Sequence, residues 1–109
     1  MAYRLVYTTC GSSQEARDIG GRLVTAGLAA CVNIFDRMNS LYLWEGRVQD
    51  DTEAVMIAKT TADRADAVMA EIRAVHSYDC PCILCLPISE GNPPFLAWIA
   101  EQVRASDAT

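Results

Sequence analysis

The chain has no long apolar run and few basic residues, and each scarcity excludes a class of function. Among its 109 residues, no stretch approaches the ~20 consecutive apolar residues of a transmembrane helix. Nine Arg and Lys stand against fourteen Asp and Glu, which gives a formal net charge of -5. Because these cations are scattered singly along the chain, the sequence offers no basic patch to a phosphate backbone. We therefore expect a protein that binds neither membranes nor nucleic acids.

Several targeting and catalytic motifs are also missing. Residues 1–7 have no basic start, long apolar core or small-residue cleavage site of the kind found in signal peptides. Gly11 and Gly91 stand alone, so no glycine-rich phosphate loop is present. A nucleophile elbow and a metal-hydrolase motif are absent as well. The sequence thus predicts a cytoplasmic protein that is not an enzyme.

Five cysteines are present, and an odd number does not allow every thiol to pair within one chain. Without an export signal, these thiols are expected to be reduced. Cys31 lies inside a short apolar run, which is typical of a buried, inert thiol. Cys80 and Cys82 are two residues apart, so a strand at this position would place both sulfurs on one face and Cys85 on the other.

Short apolar runs alternate with helical patterns, and 51% of the residues are hydrophobic. This length and composition predict one domain over residues 1–109. Strands are expected near residues 5–9, 30–35, 41–48, 54–59 and 80–87. Helices are expected to begin at Ser12, which forms a capping box with Glu15, at Thr60 or Thr61, and at Asn92, which precedes two prolines.

The element order is β-α-β-β-β-α-β-α, or β-α-β-β-α-β-α if the two central strands are long and bent. Right-handed crossovers would place both main helices on one face of an antiparallel-rich sheet. The sequence therefore predicts an α+β, ferredoxin-like sandwich (β-α-β-β-α-β) with an extra C-terminal helix.

Four local expectations accompany this order. Residues 36–40 are predicted to form a turn or bend, and the acidic cluster of residues 49–53 a solvated hairpin tip. Gly20 and Gly21 weaken the first helix but allow another backbone to approach it closely. Ser106 to Thr109 are expected to fray.

His76 is the only histidine in the chain, and neutral imidazole binds Cu, Zn, Fe and Ni. With Cys80 and Cys82 it supplies three candidate metal ligands within seven residues, and thiolates favour Cu(I), Zn and other thiophilic ions. The spacing matches no standard zinc motif. Two alternatives stay open: His76 interacts with the last carbonyls of a helix, and the thiols are buried and inert.

Three segments together resemble the CutA divalent-cation tolerance family. They are residues 28–34 (LAACVNI), residues 40–48 (SLYLWEGRV, followed by Glu53 and Lys59), and residues 76–83 (HSYDCPCI, continuing to residue 99). The usual family pattern around the histidine is His-Pro-Tyr-Glu-x-Pro-Glu. This chain has Ser77, Asp79 and Cys82 in place of the proline and the two glutamates.

The resemblance implies a tight homotrimer with strands that pair across subunits, in an architecture similar to the PII signalling proteins. It also implies a divalent metal ion, with copper favoured, and a role in cation tolerance or in metal-response signalling to an unidentified partner. Glu53, Lys59, Tyr78 and Asp79 are expected to form a polar pocket near the subunit boundary. A lysine–carboxylate pair there either binds a small anion or closes a buried salt bridge.

Two other functions remain open. The first is a PII-like sensor that binds a small metabolite or nucleotide between subunits. The second is an enzyme that uses a Cys–His pair, in which Asp79 would orient the imidazole of His76.

Overall fold

Four strands and three helices alternate along residues 1–103, the part of the chain that the computed structural model describes. They are β1 (Tyr3–Cys10), α1 (Ser13–Thr25), β2 (Cys31–Trp44), β3 (Arg47–Thr61), α2 (Ala65–Val75), β4 (Ile83–Ile88) and α3 (Pro93–Gln102). A short 3-10 turn at Ala62–Arg64 precedes α2. The order with two long central strands is therefore confirmed, whereas the expected fraying of Ser106 to Thr109 lies outside the described residues.

The four strands form one antiparallel sheet in the order β2-β3-β1-β4. Both α1 and α2 pack on the same face of this sheet, which confirms the ferredoxin-like α+β sandwich. Phe95 of α3 lies 5.4 Å from the Lys59 ammonium, and strand alternation directs Lys59 away from its buried neighbour Ala58. Thus α3 lies on the opposite face. No helix in residues 1–103 has the length and apolar character needed to cross a membrane.

The core lies between the sheet and the two main helices. Alternate side chains of β1 and β3 point to this layer because successive strand residues face opposite sides, and the helices contribute residues at helical spacing. Its fully or almost fully buried members are Val6, Cys10, Ala16, Ile19, Leu23, Ala29, Ala54, Met56, Ala58, Val68 and Ile72. Burial of each large aliphatic side chain stabilises the fold by about 1.5–3 kcal/mol.

Gly20 and Gly21 differ sharply in their surroundings, although they are neighbours in α1. A methyl group added at Gly20 would lie 2.7 Å from Cγ2 of Val32 and 3.3 Å from the sulfur of Met56. A methyl group added at Gly21 would meet nothing within 4 Å. The predicted close approach therefore holds for Gly20 alone, where α1 sits directly on the sheet.

Beyond the core, β2 and β3 continue as a two-stranded ribbon, which we call the arm (residues 38–53). A bulge between Phe35 and Met38 interrupts the pairing, and Arg37 there has a φ of 58°. Of the turn or bend expected at residues 36–40, the turn is therefore wrong. The chain bends at this bulge but remains one strand, as bulged strands do.

The tip of the arm is Glu45-Gly46, with φ values of 53° and 78°. Two successive residues with positive φ form the two-residue turn that suits a twisted hairpin. The solvated tip expected at residues 49–53 is therefore wrong, because these acidic residues lie within β3 and pair with β2.

The strand expected over residues 80–87 begins only at Ile83. Cys80 and Cys82 precede it in irregular structure, so the expectation that they share one face of a strand is wrong. Pro81 cannot donate a ladder hydrogen bond, which explains why the strand starts after it. Pro87 lies within β4, which is an edge strand, the location where a sheet tolerates proline.

Thr8 carries a hydroxyl group without a hydrogen-bond partner among the described residues, although its side chain is fully buried. It lies in β1 between Met56 and Ile83 in register. An unpaired buried polar group costs about 1–3 kcal/mol. We expect Thr8→Val to raise the free energy of unfolding in urea by about 1 kcal/mol, because valine keeps the shape and removes the hydroxyl.

Thr60 provides the matched control, since its equally buried hydroxyl donates to the Leu28 carbonyl at 2.7 Å. Thr60→Val should therefore lower the free energy of unfolding. Equal destabilisation by both substitutions would show that the Thr8 hydroxyl has a partner.

Candidate functional site

A pocket of about 780 Å³ lies between the arm and residues 76–82, the irregular segment that we call the loop. Alternation along the paired strands explains which arm residues face it, because Ser40 pairs with Asp51 and Tyr42 pairs with Gln49. The residues that line the pocket are Thr9, Gly11, Tyr42, Trp44, Gln49, Asp51, Thr52, Glu53, Tyr78, Asp79, Cys80 and Cys82.

The charge of this lining is entirely negative. Asp51, Glu53 and Asp79 contribute carboxylates, and none of the lining residues is Lys, Arg or His. A cleft lined by charges of one sign concentrates ions of the opposite sign. The pocket therefore favours cations and repels anions.

Glu53 joins the three segments that surround the pocket. The Ser40 hydroxyl of β2 donates to its Oε1 at 2.7 Å, and the Tyr78 hydroxyl of the loop donates to its Oε2 at 2.8 Å. Burial, together with the bond to the Glu53 carboxylate, raises the pKa of Tyr78, so its hydroxyl stays a donor. Both donors are neutral, so they solvate the carboxylate without cancelling its charge.

The two thiols of the pocket belong to the loop, and both residues are exposed. Partial burial of the thiol and the negative charge of Glu53 raise the pKa of Cys82. A third thiol, Cys10, is fully buried beside the pocket, and its burial raises its pKa to about 11, with smaller contributions from Glu15 and Glu53. The thiols of Cys10 and Cys82 are therefore protonated at neutral pH. A metal ion that binds Cys82 must displace its proton.

His76 lies behind the pocket, and its side chain is completely buried. Its Nε2 is 2.8 Å from the Thr9 carbonyl oxygen, and its Nδ1 accepts from the Tyr78 backbone N–H at 3.1 Å. Since a carbonyl only accepts and an amide N–H only donates, these partners assign a neutral ring with its proton on Nε2. No nitrogen lone pair is left for a metal ion in this arrangement.

Glu15 holds the loop against the start of α1. Its Oε2 accepts from the Ser77 N–H at 2.8 Å, and its Oε1 accepts from the Gly11 N–H at 3.1 Å. Ser12 caps α1 by accepting from the Glu15 N–H at 3.1 Å, as the sequence predicts. Desolvation raises the pKa of Glu15, but the bonds from Ser77 and Gly11 outweigh it, so the net pKa lies below the ordinary value of 4.5.

This lowered pKa of Glu15 predicts acid sensitivity. The stabilisation by its carboxylate is present in full above the ordinary value of 4.5 and is lost as pH falls through the lower folded pKa. We expect Glu15→Gln to lower the free energy of unfolding by about 1 kcal/mol at pH 7. Urea denaturation at decreasing pH should show this difference shrinking below pH 4.5. A difference that stays constant across this range would contradict the role of the charge.

The structure brings together five of the seven residues expected in a site. Glu53, Tyr78, Asp79, Cys80 and Cys82 line one pocket, whereas His76 and Lys59 do not. Instead, the Lys59 ammonium lies over the Phe95 ring. Within residues 1–103, no three His, Cys, Asp or Glu side chains are close enough to hold a metal ion as they stand, so the expected group of His76, Cys80 and Cys82 is not assembled.

Seven of the twelve lining residues are not among the expected site residues, and three of these, Tyr42, Trp44 and Asp51, contribute a carboxylate and aromatic surface. The sequence predicts a hairpin tip at Asp51 and only a strand at Tyr42 and Trp44. The sequence indicates these three residues only if the hairpin tip is placed at Glu45-Gly46. Strand alternation then puts Tyr42, Trp44 and Asp51 on the same face of the arm as Glu53.

The sequence is similar to CutA proteins from distant organisms. The "Divalent-cation tolerance protein CutA" of Archaeoglobus fulgidus is 44% identical over 102 residues, covering 94% of this chain and 99% of that protein. The "Protein CutA homolog" of Xenopus laevis is 39% identical over 97 residues, and this chain spans only 64% of its length. The similarity therefore extends from an archaeon to a vertebrate.

Solved structures of CutA proteins have the same fold as this chain. The crystal structure of CutA1 from Oryza sativa superimposes with a TM-score of 0.92 at 37% identity, covering 97% of each chain. The structure titled as the periplasmic divalent cation tolerance protein CutA from Archaeoglobus fulgidus gives a TM-score of 0.89 at 43% identity, over 94% of this chain and 99% of that one. The sequence profile of the family described as "CutA1 divalent ion tolerance protein" matches residues 4–102. The chain therefore belongs to the CutA1 divalent ion tolerance family.

Proposed function

We propose that this chain forms a homotrimer that binds divalent metal ions, with copper favoured, and acts in cation tolerance or metal-response signalling. The observation that carries the proposal is the lining of the pocket, which combines three carboxylates and two thiols with no positive side chain. Carboxylates gathered without a counter-ion repel one another, and a bound cation relieves that repulsion. Oxygen and sulfur donors together suit borderline and soft ions such as copper and zinc.

The proposed trimer is supported by apolar surfaces on both the arm and the sheet. On the arm face opposite the pocket, Leu41, Leu43 and Val48 are each 70–72% exposed. On the sheet, Leu84 and Leu86 of β4 are also exposed. Exposed apolar residues of this kind are typical of protein interfaces, and further copies of the same chain are the proposed partners.

The chain is further proposed to be a cytoplasmic binding protein without catalytic activity. Both nitrogens of His76 bond to backbone groups, so the imidazole is not available as a base for a thiol. The pKa of Cys82 and that of Cys10 are raised rather than lowered, which is the opposite of an activated nucleophile. Five free thiols in the described residues suit a reducing compartment. Any partner that receives a metal signal is unidentified.

Light scattering combined with metal titration tests this function. The reduced protein should have the mass of three chains, and it should bind Zn²⁺ and copper. The double variant Asp51→Asn with Glu53→Gln should bind at least about tenfold more weakly. Asp66→Asn is the matched control, because it removes an exposed carboxylate of α2 that does not line the pocket. A monomer, or equal affinity in the double variant and the wild type, would contradict the proposal.

A PII-like sensor of small metabolites or nucleotides is the second candidate. The volume of about 780 Å³ falls within the range of about 300–1,000 Å³ for ligand pockets, and Tyr42, Trp44 and Tyr78 offer aromatic surface. The negative lining disfavours nucleotides unless a metal ion accompanies them. A thermal-shift screen of nucleotides with and without a divalent ion distinguishes the two, because a ligand of the native state raises its apparent stability.

A further inference from the structure

The pocket has aromatic walls as well as carboxylates. Tyr42 and Trp44 of the arm and Tyr78 of the loop line it, and these residues are 42%, 63% and 36% exposed. A cation is attracted to the face of an aromatic ring, and aromatic residues bind organic ammonium groups in this way. Aromatic rings next to carboxylates therefore suit an organic cation, whereas a metal ion uses only the oxygen and sulfur donors.

The two carboxylates of the arm are spaced along one face of β3. Asp51 and Glu53 are two residues apart in this strand, and each residue of a strand adds about 3.3 Å, so their Cα atoms are about 7 Å apart. In residues 1–103, no three His, Cys, Asp or Glu side chains converge closely enough for a metal ion. A linear diamine with a four-carbon chain holds its two ammonium groups at a comparable separation.

Both carboxylates can accept further hydrogen bonds. A carboxylate offers about four acceptor positions. Among the described residues, Asp51 accepts from the Tyr42 hydroxyl, and Glu53 accepts from the hydroxyls of Ser40 and Tyr78 at 2.7 and 2.8 Å. These donors are uncharged, so both carboxylates keep their negative charge. The N–H groups of an ammonium ion can donate to the positions that remain.

We propose that the pocket binds a linear aliphatic polyamine, with neighbouring ammonium groups at Asp51 and Glu53 and the hydrocarbon chain against the aromatic rings. This inference goes beyond the proposed metal function, because it requires neither a thiol nor a group of ligands that converges on one point. The arm face that the proposed trimer uses is the opposite one, with Leu41 and Leu43 exposed on it. The face that lines the pocket is therefore left to a ligand.

Calorimetric titration with putrescine, the linear four-carbon diamine, tests the inference on protein freed of metal ions by dialysis against a chelator. One molecule should bind per chain, and the uncharged four-carbon diol should not bind. Asp51→Asn and Glu53→Gln should each weaken putrescine binding by at least about tenfold, since each removes a charge-assisted hydrogen bond. Asp66→Asn is the matched control, because this exposed carboxylate of α2 does not line the pocket, and it should leave the affinity unchanged.

Trp44 provides a spectroscopic readout of the same event. The chain contains two tryptophans, and the other one, Trp98, is in α3, where its ring stacks with that of Phe95. Fluorescence of a Trp98→Phe protein therefore reports on Trp44 alone. Putrescine should change this emission over the concentration range found by calorimetry, and the diol should leave it unchanged.

Three outcomes separate this inference from the proposed function. Equal weakening by Asp66→Asn and Asp51→Asn would show diffuse attraction to a negative surface and would overturn the inference. Binding of Zn²⁺ without binding of putrescine would overturn it as well and leave the proposed function intact. Binding of putrescine without binding of any divalent metal ion would support the inference and overturn the metal-binding part of the proposed function.

Discussion

Replacement of His76 by alanine is expected to lower the free energy of unfolding by about 3 kcal/mol, a value that combines a lost buried ring with two lost hydrogen bonds. The ring is completely buried and bridges the Thr9 carbonyl of β1 and the Tyr78 N–H of the loop. Alanine leaves both backbone groups without this partner and leaves a cavity behind. Urea denaturation of the wild type and the variant measures the difference.

His76→Gln separates the structural role of this residue from a role in metal binding. Glutamine carries both a donor and an acceptor, so it should restore part of the stability that alanine loses. Because His76 does not line the pocket, a folded His76→Gln protein should still bind Zn²⁺. Loss of Zn²⁺ binding in a folded His76→Gln protein would instead restore His76 as a ligand.

Replacement of Gly20 by alanine is expected to lower the free energy of unfolding by about 2 kcal/mol, a typical penalty for overpacking a core. The new methyl group would lie 2.7 Å from Cγ2 of Val32, and valine is stiff about χ1, so it cannot easily turn away. The sulfur of Met56 closes the other side at 3.3 Å. Thermal or urea unfolding measures the loss.

Gly21→Ala is the matched control for this prediction, and the opposite sign is expected. The position is inside the same helix, and an added methyl group meets nothing within 4 Å. Alanine should therefore raise the free energy of unfolding by about 0.5–1 kcal/mol through its better helix propensity. Stabilisation by both substitutions would show that α1 does not approach the sheet as closely as described.

The parts of the fold that depend on local signals were predictable from the sequence. Ser12 starts α1 by accepting from the Glu15 N–H, as the capping-box spacing predicts, although the Glu15 carboxylate accepts from Gly11 instead of Ser12. The position of the arm's tip was not predictable from the acidic cluster, because acidic residues indicate solvent exposure but do not specify where a turn lies. The turn lies at Glu45-Gly46, where two positive φ values match the twist of the paired strands.

The candidate site was predictable only in part, because sequence spacing does not reveal which backbone groups a side chain will meet. Three potential ligands within residues 76–82 suggested one metal site. The fold instead places the His76 ring against the β1 carbonyl of Thr9, a partner 67 residues away in sequence. Lys59 was expected among the carboxylates, but strand alternation directs it to the face covered by α3, where it contacts Phe95.

A crystal structure of the reduced protein grown with Cd²⁺, with anomalous data to locate the ion, tests cation binding in the pocket most directly. We expect an anomalous peak inside the pocket, among the carboxylates and thiols that line it. A peak on His76, or peaks confined to surfaces outside the pocket, would contradict the proposed site.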